Sequence, residues 1–286
     1  MTTGWVVVTG ASTGIGRACA LRLAARGIPV LAGVRSDGDG QRLLEAAGEA
    51  KDCLVPLRLD VTDATSIAQA ATEVAERLDG APLLGLVNNA GIALGGLQEF
   101  MPHAVWQRQF DVNVFGVINT TRALLPLLLA AKGRVVNISS VGGIIASPFM
   151  GPYHASKFAV EAITAGLRME LRPFGVWAAC VEPGAVKTEI WRKADTLIDE
   201  LKRELSPEAL QRYRAGLAAM EHFTADAAKR GVSPDAVAKR VEHALLAPRP
   251  RARYLVGTDA HLMVLFHWLL PTRWFEAIVA KLTARA

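Results

Sequence analysis

Short apolar runs alternate with longer segments of helical periodicity along nearly the whole chain. The short runs are apolar at consecutive positions, which predicts strands that are buried on both faces. The predicted strands cover residues 5–9, 29–34, 54–59, 83–87, 135–139, 176–181 and 254–256. The predicted helices cover residues 15–26, 41–49, 63–78, 103–130, 153–172 and 233–247, and Asp63 is a suitable N-cap for the third.

Alternating strands and helices of this kind predict an α/β fold, in which helices cover both faces of a doubly wound parallel sheet. A ligand is then expected at the carboxyl ends of the strands. We find no repeat and no linker, so residues 1–286 are predicted to form one domain. Residues 188–230 are charged and helix-prone, and their position suits a substrate-lid insertion. Residues 258–286 form a C-terminal helical extension.

Composition narrows the class of protein. Hydrophobic residues make up 51% of the 286 residues, which is ample for a buried core. The net charge of +5 is spread along the chain, so a nucleic-acid partner is not expected. Cys19, Cys53 and Cys180 lack metal-type spacing and indicate a reducing compartment, with no metal site. We see no charged leader, and the apolar run 262–270 is too short to span a bilayer, which predicts a cytoplasmic protein.

A glycine-rich loop follows the first predicted strand. Residues 9–16 read Thr-Gly-Ala-Ser-Thr-Gly-Ile-Gly and lead directly into a helix. Glycines at such a position permit a tight turn and let the backbone approach a pyrophosphate closely. The helix N-terminus adds unpaired N–H groups and a partial positive charge. The loop therefore predicts a dinucleotide site.

The spacing of these glycines resembles the short-chain dehydrogenase/reductase superfamily. Further matches follow in order over residues 5–260: Asp60 in Leu-Asp-Val, Asn88-Asn89-Ala90-Gly91, Asn113 in Val-Asn-Val-Phe-Gly, Ser139-Ser140, Tyr153-x-x-x-Lys157 and Pro183-Gly184-x-x-x-Thr188. The resemblance implies a Rossmann-like fold and a nicotinamide cofactor. It also implies that Asp60 holds the adenine ring, that residues 88–91 support the cofactor, and that residues 183–188 contact the carboxamide. The cofactor-binding residues so implied are Gly10, Ser12, Thr13, Gly14, Ile15, Gly16, Arg35, Asp60, Val61, Asn88, Ala90, Gly91, Tyr153, Lys157, Pro183, Gly184, Val186 and Thr188.

The end of the second predicted strand bears on the choice between NAD(H) and NADP(H). An acidic residue there would bind the ribose 2′-hydroxyl and repel a 2′-phosphate. This chain has Val34 at that place and Arg35 after it. Because a guanidinium pairs well with phosphate, NADP(H) is favoured over NAD(H). The alternative is an NAD-dependent enzyme in which Arg35 is idle.

Tyr153 and Lys157 stand four residues apart, on one face of a predicted helix. An adjacent ammonium is expected to lower the pKa of the phenol toward the working range. Ser140 lies 13 residues before Tyr153, the separation that the resemblance implies for the catalytic serine. It is therefore preferred over Ser139, whose side chain should point to the opposite face of the strand. By resemblance, the catalytic group is Asn113, Ser140, Tyr153 and Lys157, with Asn113 holding a water that connects Lys157 to solvent.

The predicted activity is hydride transfer between the nicotinamide and a lipophilic ketone, aldehyde or alcohol. The residues expected around the substrate are apolar: Ile145, Phe149, Met150 and Trp191, with Ile144, Ala185, Met220 and Phe223 as further candidates. The chain resembles the superfamily branch that contains retinol and hydroxysteroid dehydrogenases. The alternative from another functional class is a scaffold protein that binds the cofactor but has little turnover.

The C-terminal segment 261–282 is rich in Leu, Phe and Trp, with Arg273 and Lys281 alongside. One interpretation is a helix pair that closes the substrate pocket or packs against a second subunit. The other is an interfacial helix that contacts a membrane peripherally. The family resemblance implies a homodimer or homotetramer, formed through the helices that carry Asn113 and Tyr153.

Overall fold

Seven apolar runs form strands. The computed structural model describes residues 4–188, 202–203 and 205–284. Within these residues the strands are β1 (Trp5–Val8), β2 (Val30–Val34), β3 (Leu54–Arg58), β4 (Leu83–Asn88), β5 (Arg134–Ile138), β6 (Trp177–Pro183) and β7 (Arg253–Val256). They pair in parallel in the order β3-β2-β1-β4-β5-β6-β7.

The order of the strands sets the place of a ligand crevice. From β1 the chain proceeds to β2 and β3 on one side of the sheet, whereas β4 to β7 continue on the other side. Val8 in β1 therefore lies between Ala32 of β2 and Val87 of β4. Helices connecting to the two sides leave a gap beyond the carboxyl ends of β1 and β4, which is where such folds bind ligands.

The helices are α1 (Gly14–Ala25), α2 (Asp37–Ala47), α3 (Ala64–Leu78), α4 (His103–Phe110), α5 (Gly116–Ala131), α6 (Gly151–Leu171), α7 (Pro207–Arg212), α8 (Arg214–Arg230), α9 (Pro234–Leu246), α10 (Thr258–Leu269) and α11 (Thr272–Ala284). Short 3₁₀ turns cover Gly48–Cys53, Gln98–Phe100, Val141–Gly143 and Arg172–Phe174. A π-helical turn, Asp111–Phe115, joins α4 to α5.

Two apolar layers cover the sheet. Val6 and Val8 of β1 face α1 and α9, whereas Val7 faces α3 and α5. All three valines are fully buried, because successive side chains of a strand point to opposite faces and both faces are covered. Burial of a Val or Leu side chain contributes roughly 1.5–3 kcal/mol, so the two layers hold the strand ends firmly in place.

The helix α4, the π turn and α5 together form one long helix that is rich in apolar residues. Among the described residues, one helix, His103–Ala131, has the length and composition to cross a membrane. Its α5 part packs against β4 and α3. Leu124 and Leu128 are buried in the layer between them, which accounts for the apolar composition of this helix as core.

The predicted fold class and elements are confirmed, with boundaries shifted by a few residues. The Asp63 carboxylate caps α3 by accepting a hydrogen bond from the Thr65 N–H at 2.8 Å, as predicted. Cys19 and Cys180 are buried and unpaired, and Cys53 is half-buried. The predicted long helix is correct in extent, but the sequence periodicity did not reveal its π turn.

Part of the predicted insertion packs onto the end of the sheet. Helices α7 and α8 contribute Ala209 and Leu217 to an apolar cluster with Leu97, which lies after β4, and with Leu205. Phe149, from the segment before α6, packs against the same cluster. The helices of the insertion therefore lie over the carboxyl side of β4 and β5.

Candidate active site

The glycine loop follows β1 in a conformation that requires glycine. Gly10 has a φ of 63°, and a Cβ on it would lie 2.8 Å from the Ala90 Cα. A Cβ on Gly16 would lie 2.3 Å from the Gly10 carbonyl oxygen. Thr13 precedes α1 without a side-chain cap, so the first N–H groups of this helix have no side-chain partner from their N-cap. The loop thus presents bare backbone and a helix N-terminus, the arrangement that fits a dinucleotide pyrophosphate.

Hydrogen bonds join the glycine loop to the end of β4. The Thr9 hydroxyl accepts bonds from the N–H groups of Asn89 at 3.0 Å and Ala90 at 2.9 Å. The Asn89 amide donates to the carbonyl oxygens of Thr9 and Gly10, both at 3.0 Å. Asn89 is therefore the side chain that fixes this loop, whereas Asn88 is turned into the core. The Asn88 amide donates to Thr121 Oγ1 and Asn137 Oδ1, each at 2.8 Å.

Asp60 lies after β3, where the resemblance places the adenine contact. Its carboxylate accepts from the Thr62 N–H at 2.9 Å and from the Thr62 hydroxyl at 2.7 Å. Burial by itself would raise the pKa of Asp60, but these hydrogen bonds and the positive charge of Arg35 outweigh it and lower the pKa. Asp60 is thus held as an oriented carboxylate.

Arg35 lies at the end of β2 with its side chain exposed, and Val34 before it is buried. The neighbouring acids Asp37 and Asp39 pair with Arg58 and Arg42. Within the described part of the chain Arg35 forms no ion pair, so its guanidinium is available to an anion. Val34, at the place where an acid would exclude a 2′-phosphate, carries no charge.

Ser140, Tyr153 and Lys157 converge at the end of β5. The Ser140 hydroxyl accepts from the Gly142 N–H at 3.0 Å and lies 3.3 Å from the Pro183 carbonyl oxygen, to which it donates. It also lies near the Tyr153 phenol, whose pKa it acts to lower. The Lys157 Nζ lies 5.8 Å from the centre of the Tyr153 ring and donates to the Ile138 carbonyl oxygen at 2.7 Å. The Ser139 Oγ is buried and has no hydrogen-bond partner in the part of the chain that the structure describes.

Asn113 is brought to the same region by the π turn. Its side chain accepts from the Ile92 N–H at 2.9 Å and donates to the Ile92 carbonyl at 3.0 Å and to Ser156 Oγ at 3.1 Å. Ser156 in turn donates to the Tyr153 carbonyl at 2.7 Å. A π turn shifts the helical phase by one residue and is often found at functional sites. Here it directs a buried amide toward the loop after β4.

The pKa of Tyr153 differs from the sequence-based expectation. Burial raises the pKa of Tyr153 above its ordinary value, and the neighbouring Ser140 hydroxyl only partly opposes this. Burial also lowers the pKa of Lys157 to about 8, although the nearby Glu161 acts in the opposite direction. The expected lowering of the phenol pKa by Lys157 is therefore wrong for the protein in this state, because the ammonium bonds to Ile138 and not to the phenol.

The segment 183–188 is held by a residue that the sequence did not single out. Asp259, at the start of α10, accepts a hydrogen bond from the Ala185 N–H at 3.1 Å. A Cβ on Gly184 would lie 2.2 Å from the Asp259 carboxylate, so the two residues fit together only because residue 184 is glycine. Val186 pairs with Val232 in an isolated bridge. The C-terminal extension thus supports the segment that the resemblance assigns to the carboxamide.

His154, next to Tyr153, is a second residue that the sequence did not single out. Its Nδ1 lies 2.9 Å from the Gly142 carbonyl oxygen, and its Nε2 lies 2.9 Å from the Ser147 hydroxyl. A carbonyl only accepts, so Nδ1 carries the proton and Nε2 accepts from Ser147. Burial lowers the pKa of His154, which favours this neutral form. The ring therefore braces the loop that follows Ser140.

Comparison with known proteins identifies the family. The family model described as short chain dehydrogenase matches residues 4–198. The chain belongs to the short-chain dehydrogenase family. It is accordingly an NAD(P)-dependent dehydrogenase/reductase that acts on CH–OH groups and the corresponding carbonyls.

Relatives and solved structures agree along almost the full chain. The chain is 39% identical to retinol dehydrogenase 16 of Homo sapiens over 280 residues, covering 96% of this chain and 87% of that protein. It is 35% identical to an NADPH-dependent 3-dehydrocapnine reductase of Ornithobacterium rhinotracheale, covering 97% and 96%. A short-chain dehydrogenase/reductase from Burkholderia phymatum in complex with NAD superimposes with a TM-score of 0.77 at 27% identity, covering 93% and 95%.

Of the residues predicted to surround the substrate of this short-chain dehydrogenase, the structure describes three and leaves Trp191 outside the described residues. Phe149 has a φ of 68°, unusual for a non-glycine residue, and packs beside the insertion. Met150 lies beside Gly95, after β4. Ile145 is buried against Phe275 and Val279 of α11. Trp191 lies outside the described residues, as do the side chains of Met220 and Phe223.

Proposed function

We propose that this short-chain dehydrogenase uses NADP(H) to interconvert a lipophilic ketone or aldehyde and its alcohol, with Tyr153 as acid and base. The convergence of Ser140, Tyr153 and Lys157 beside the glycine loop carries the proposal. The test is a panel of lipophilic ketones and alcohols assayed with both cofactors by the absorbance of reduced nicotinamide. Absence of turnover across a broad panel would favour a cofactor-binding scaffold.

The fit of the loop supports the cofactor assignment. A Cβ on Gly10 or Gly16 would occupy space taken by neighbouring backbone, and the N-terminus of α1 lacks a side-chain cap. When bound there, the nicotinamide supplies or accepts the hydride. The residues that would hold the dinucleotide are Gly10, Ser12, Thr13, Gly14, Ile15, Gly16, Arg35, Asp60, Val61, Ala90, Gly91, Tyr153, Lys157, Pro183, Gly184, Val186 and Thr188. We place Asn88 behind this group, as a support of β4 through Thr121 and Asn137.

In the reduction direction, Ser140 and Tyr153 donate hydrogen bonds to the substrate carbonyl oxygen. Negative charge develops on that oxygen as the carbon accepts hydride, and two fixed donors stabilise it. Tyr153 then transfers its proton to the oxygen, which yields the alcohol. In oxidation the same residues act in reverse, and Tyr153 receives the proton. Its raised pKa keeps Tyr153 protonated before reduction.

Lys157 restores the proton of Tyr153 and stabilises the transient phenolate. The Lys157 ammonium is buried, so its charge acts at low effective dielectric and its influence on the phenolate is strong. Asn113 is fully buried and bonded to Ile92 and Ser156. We assign Asn113 to orienting the segment beside Lys157, through which a water would connect the ammonium with solvent.

Arg35 supports NADP(H), and its removal provides a test. We expect Arg35→Ala to raise the KM for NADP(H) roughly 10- to 100-fold, because charge-assisted hydrogen bonds to the 2′-phosphate are lost. The KM for NAD(H) should change little, since NAD(H) lacks that phosphate. Steady-state kinetics with both cofactors measures the ratio.

Arg58→Ala is the matched control, because Arg58 is an exposed arginine at the neighbouring strand end that pairs with Asp37. If Arg35→Ala changes the KM for NADP(H) and for NAD(H) equally, the result favours the alternative of an NAD-dependent enzyme in which Arg35 is idle.

The apolar wall around the site supports a lipophilic substrate. Helices α7 and α8 of the insertion (residues 188–230) form an apolar cluster with Leu97 and Phe149, which supports a lid role for the insertion. The C-terminal extension adds Phe275 and Val279 against the loop after Ser140. A retinol dehydrogenase and a 3-dehydrocapnine reductase are among the relatives. The members of these two clusters are mostly apolar, which favours a lipophilic substrate over a sugar or an acid.

We assign a homo-oligomer to the helices that carry Asn113 and Tyr153. Phe115 in the π turn and Phe158 in α6 are both exposed by more than two fifths. Exposed aromatic side chains on adjacent helices suit a self-complementary interface. A homodimer or homotetramer would cover them.

We assign the outer face of α10 and α11 to peripheral contact with a membrane. Of the eleven large hydrophobic side chains exposed in the described chain, seven lie on these two helices: Leu262, Leu265, Phe266, Trp268, Leu269, Trp274 and Ile278. Arg273 and Lys281 are exposed beside them. Tryptophan with flanking cations is typical of helices that rest at a lipid interface. The protein would then be cytoplasmic and membrane-peripheral.

Vesicle sedimentation tests this assignment. We expect the protein to sediment with phosphatidylcholine vesicles, and more strongly when they contain phosphatidylglycerol. Trp268→Ser with Trp274→Ser should reduce the bound fraction roughly tenfold, because two interfacial anchors are removed. Met169→Ser is the control, since Met169 is also an exposed apolar residue but lies on α6, outside α10 and α11. If the unaltered protein does not sediment with vesicles, packing of this face against a second subunit becomes the better interpretation.

A further inference from the structure

Two buried glutamates lie directly behind the catalytic group. Glu161 is on α6, one turn after Lys157, and Glu182 is near the end of β6, just before Pro183. The Glu182 side chain is 1% exposed and the Glu161 side chain 16%. Neither residue belongs to the group that contacts substrate or cofactor. Buried carboxylates are costly unless they are paired, so this placement calls for an explanation.

Arg253 of β7 is the shared partner of the two carboxylates. Its Nε donates to Glu182 Oε1 and lies 3.8 Å from Glu161 Oε2. The two remaining oxygens, Glu161 Oε1 and Glu182 Oε2, are buried and have no hydrogen-bond partner among the described residues. Two carboxylates against one guanidinium leave one negative charge that Arg253 does not compensate. A proton on one carboxyl group removes that charge and lets this group donate to the other.

We infer that Glu161 and Glu182 form a buried acid pair that shares one proton and extends the pH range over which Lys157 stays charged. When Glu182 is protonated, it donates to Glu161 and the pair carries one negative charge. When Glu182 releases its proton, a second negative charge appears behind Lys157. That charge favours the ammonium form of Lys157 in the pH range in which the ammonium would otherwise lose its proton. The pair therefore supplies a pH-dependent negative charge that stabilises the ammonium form of Lys157. This inference rests on the proposed role of Lys157.

The surroundings of the pair agree with this inference. The pKa of Glu182 is raised to about 7, by burial first and by the nearby Glu161, against the opposing effect of Arg253. Burial lowers the pKa of Lys157 to about 8, so Glu182 and Lys157 titrate in the same region of pH. Glu161 already acts to raise the pKa of Lys157.

The other groups that face the pair are few. Cys180 of β6 faces Glu161, and burial raises the pKa of its thiol, so it stays neutral. Ser139 and Thr164 contribute neutral hydroxyl groups. Arg168, further along α6, donates to the carbonyl oxygens of Ala178 and Ala252. Among the described residues, Arg253 is therefore the one cation that forms an ion pair with Glu161 or Glu182.

Glu182→Gln is the sharpest test, because glutamine keeps the shape and the donor of the protonated acid but cannot ionise. We expect the alkaline limb of kcat/KM for reduction to shift to lower pH by about half to one unit, since Lys157 loses the second charge. Glu161→Gln, which removes the permanent charge, should shift it in the same direction. Glu170→Gln, at an exposed position of α6, is the matched control and should superimpose on the unaltered protein.

An infrared titration gives a readout that is independent of turnover. The unaltered protein should show a protonated-carboxyl C=O stretch that disappears with an apparent pKa near neutrality, and Glu182→Gln should lack this band. The band without a shift in the pH profile would overturn the link to Lys157. Absence of the band from the unaltered protein would overturn the shared proton itself. Absence of turnover with the band present would instead count against the proposed function.

Discussion

Tyr153→Phe is expected to reduce turnover by roughly 10²- to 10⁴-fold while cofactor binding is retained. The substitution removes one oxygen, and with it both the proton that the substrate oxygen receives and one of the two donors that stabilise its charge. Ser140 remains as the second donor and accounts for residual activity. Phenylalanine keeps the ring in its buried place, so the free energy of unfolding should change little. Cofactor fluorescence titration and steady-state kinetics measure the two effects separately.

Tyr254→Phe is the matched control. The chain has three tyrosines, and the Tyr254 hydroxyl is bonded to His243 at 3.0 Å and to the Arg251 N–H at 2.8 Å, away from the site. Loss of that hydroxyl should cost about 1–3 kcal/mol of stability and leave kcat unchanged in the folded protein. Retention of full turnover by Tyr153→Phe would contradict the assignment of the acid, and a scaffold role would then become the better interpretation.

The architecture follows from local features of the sequence. Each strand of the sheet is apolar on both faces because each face meets a helical layer, and this pattern is visible in consecutive residues. The preference for Ser140 over Ser139 followed from the 13-residue separation that the family resemblance implies, together with strand alternation, and the structure places Ser140 near Tyr153. Asp63 caps α3 because its carboxylate precedes a helical stretch. Such features depend on neighbours in the sequence and could be predicted.

Features that depend on distant pairs could not be predicted in the same way. Asp259 binds the N–H of Ala185, 74 residues away, and nothing in either neighbourhood indicates the contact. The acid pair joins α6 to the end of β6 and needs Arg253 from β7. The π turn changes the direction of Asn113 by inserting one residue into the helical phase, which hydrophobic periodicity does not resolve.

The expectation about Tyr153 failed for a physical reason. Spacing of four residues places Lys157 on the same helix face, but it does not decide what the ammonium bonds. In the folded protein the Ile138 carbonyl lies 2.7 Å from Nζ and takes that bond, while burial acts on both side chains. Tyr153 is thus a stable neutral acid at rest. The phenolate needs Lys157 only during the reaction, when Tyr153 has given up its proton.

Lys157→Met is therefore expected to reduce kcat/KM by roughly 10²- to 10³-fold, because the transient phenolate loses its buried counter-charge. Methionine fills a similar volume, so folding should be retained. The Ile138 carbonyl loses a donor, but the cost of burying an ammonium disappears as well, and these two effects on stability oppose each other. Circular dichroism melting checks the fold, and the pH dependence of kcat/KM for reduction checks the chemistry.

The pH profile distinguishes a chemical role from a structural one. Lys157 has a pKa of about 8, so reduction by the unaltered protein should decline as the pH rises through that value and the ammonium is lost. Lys157→Met should lack this decline, since it has no proton to lose there. Lys239→Met, at an exposed position in α9, is the control. An unchanged alkaline limb in Lys157→Met would assign the decline to another group.

A double substitution decides whether Tyr153 and Lys157 act as one unit. If Lys157 acts through the phenol, Tyr153→Phe removes the group on which it acts, and adding Lys157→Met should reduce turnover by little more. Two independent contributions would instead multiply to roughly 10⁴-fold or more. Groups that cooperate in one step are strongly non-additive, so the two outcomes differ by at least an order of magnitude. Multiplicative loss would mean that Lys157 serves cofactor binding alone, and the proton path through it would have to be abandoned.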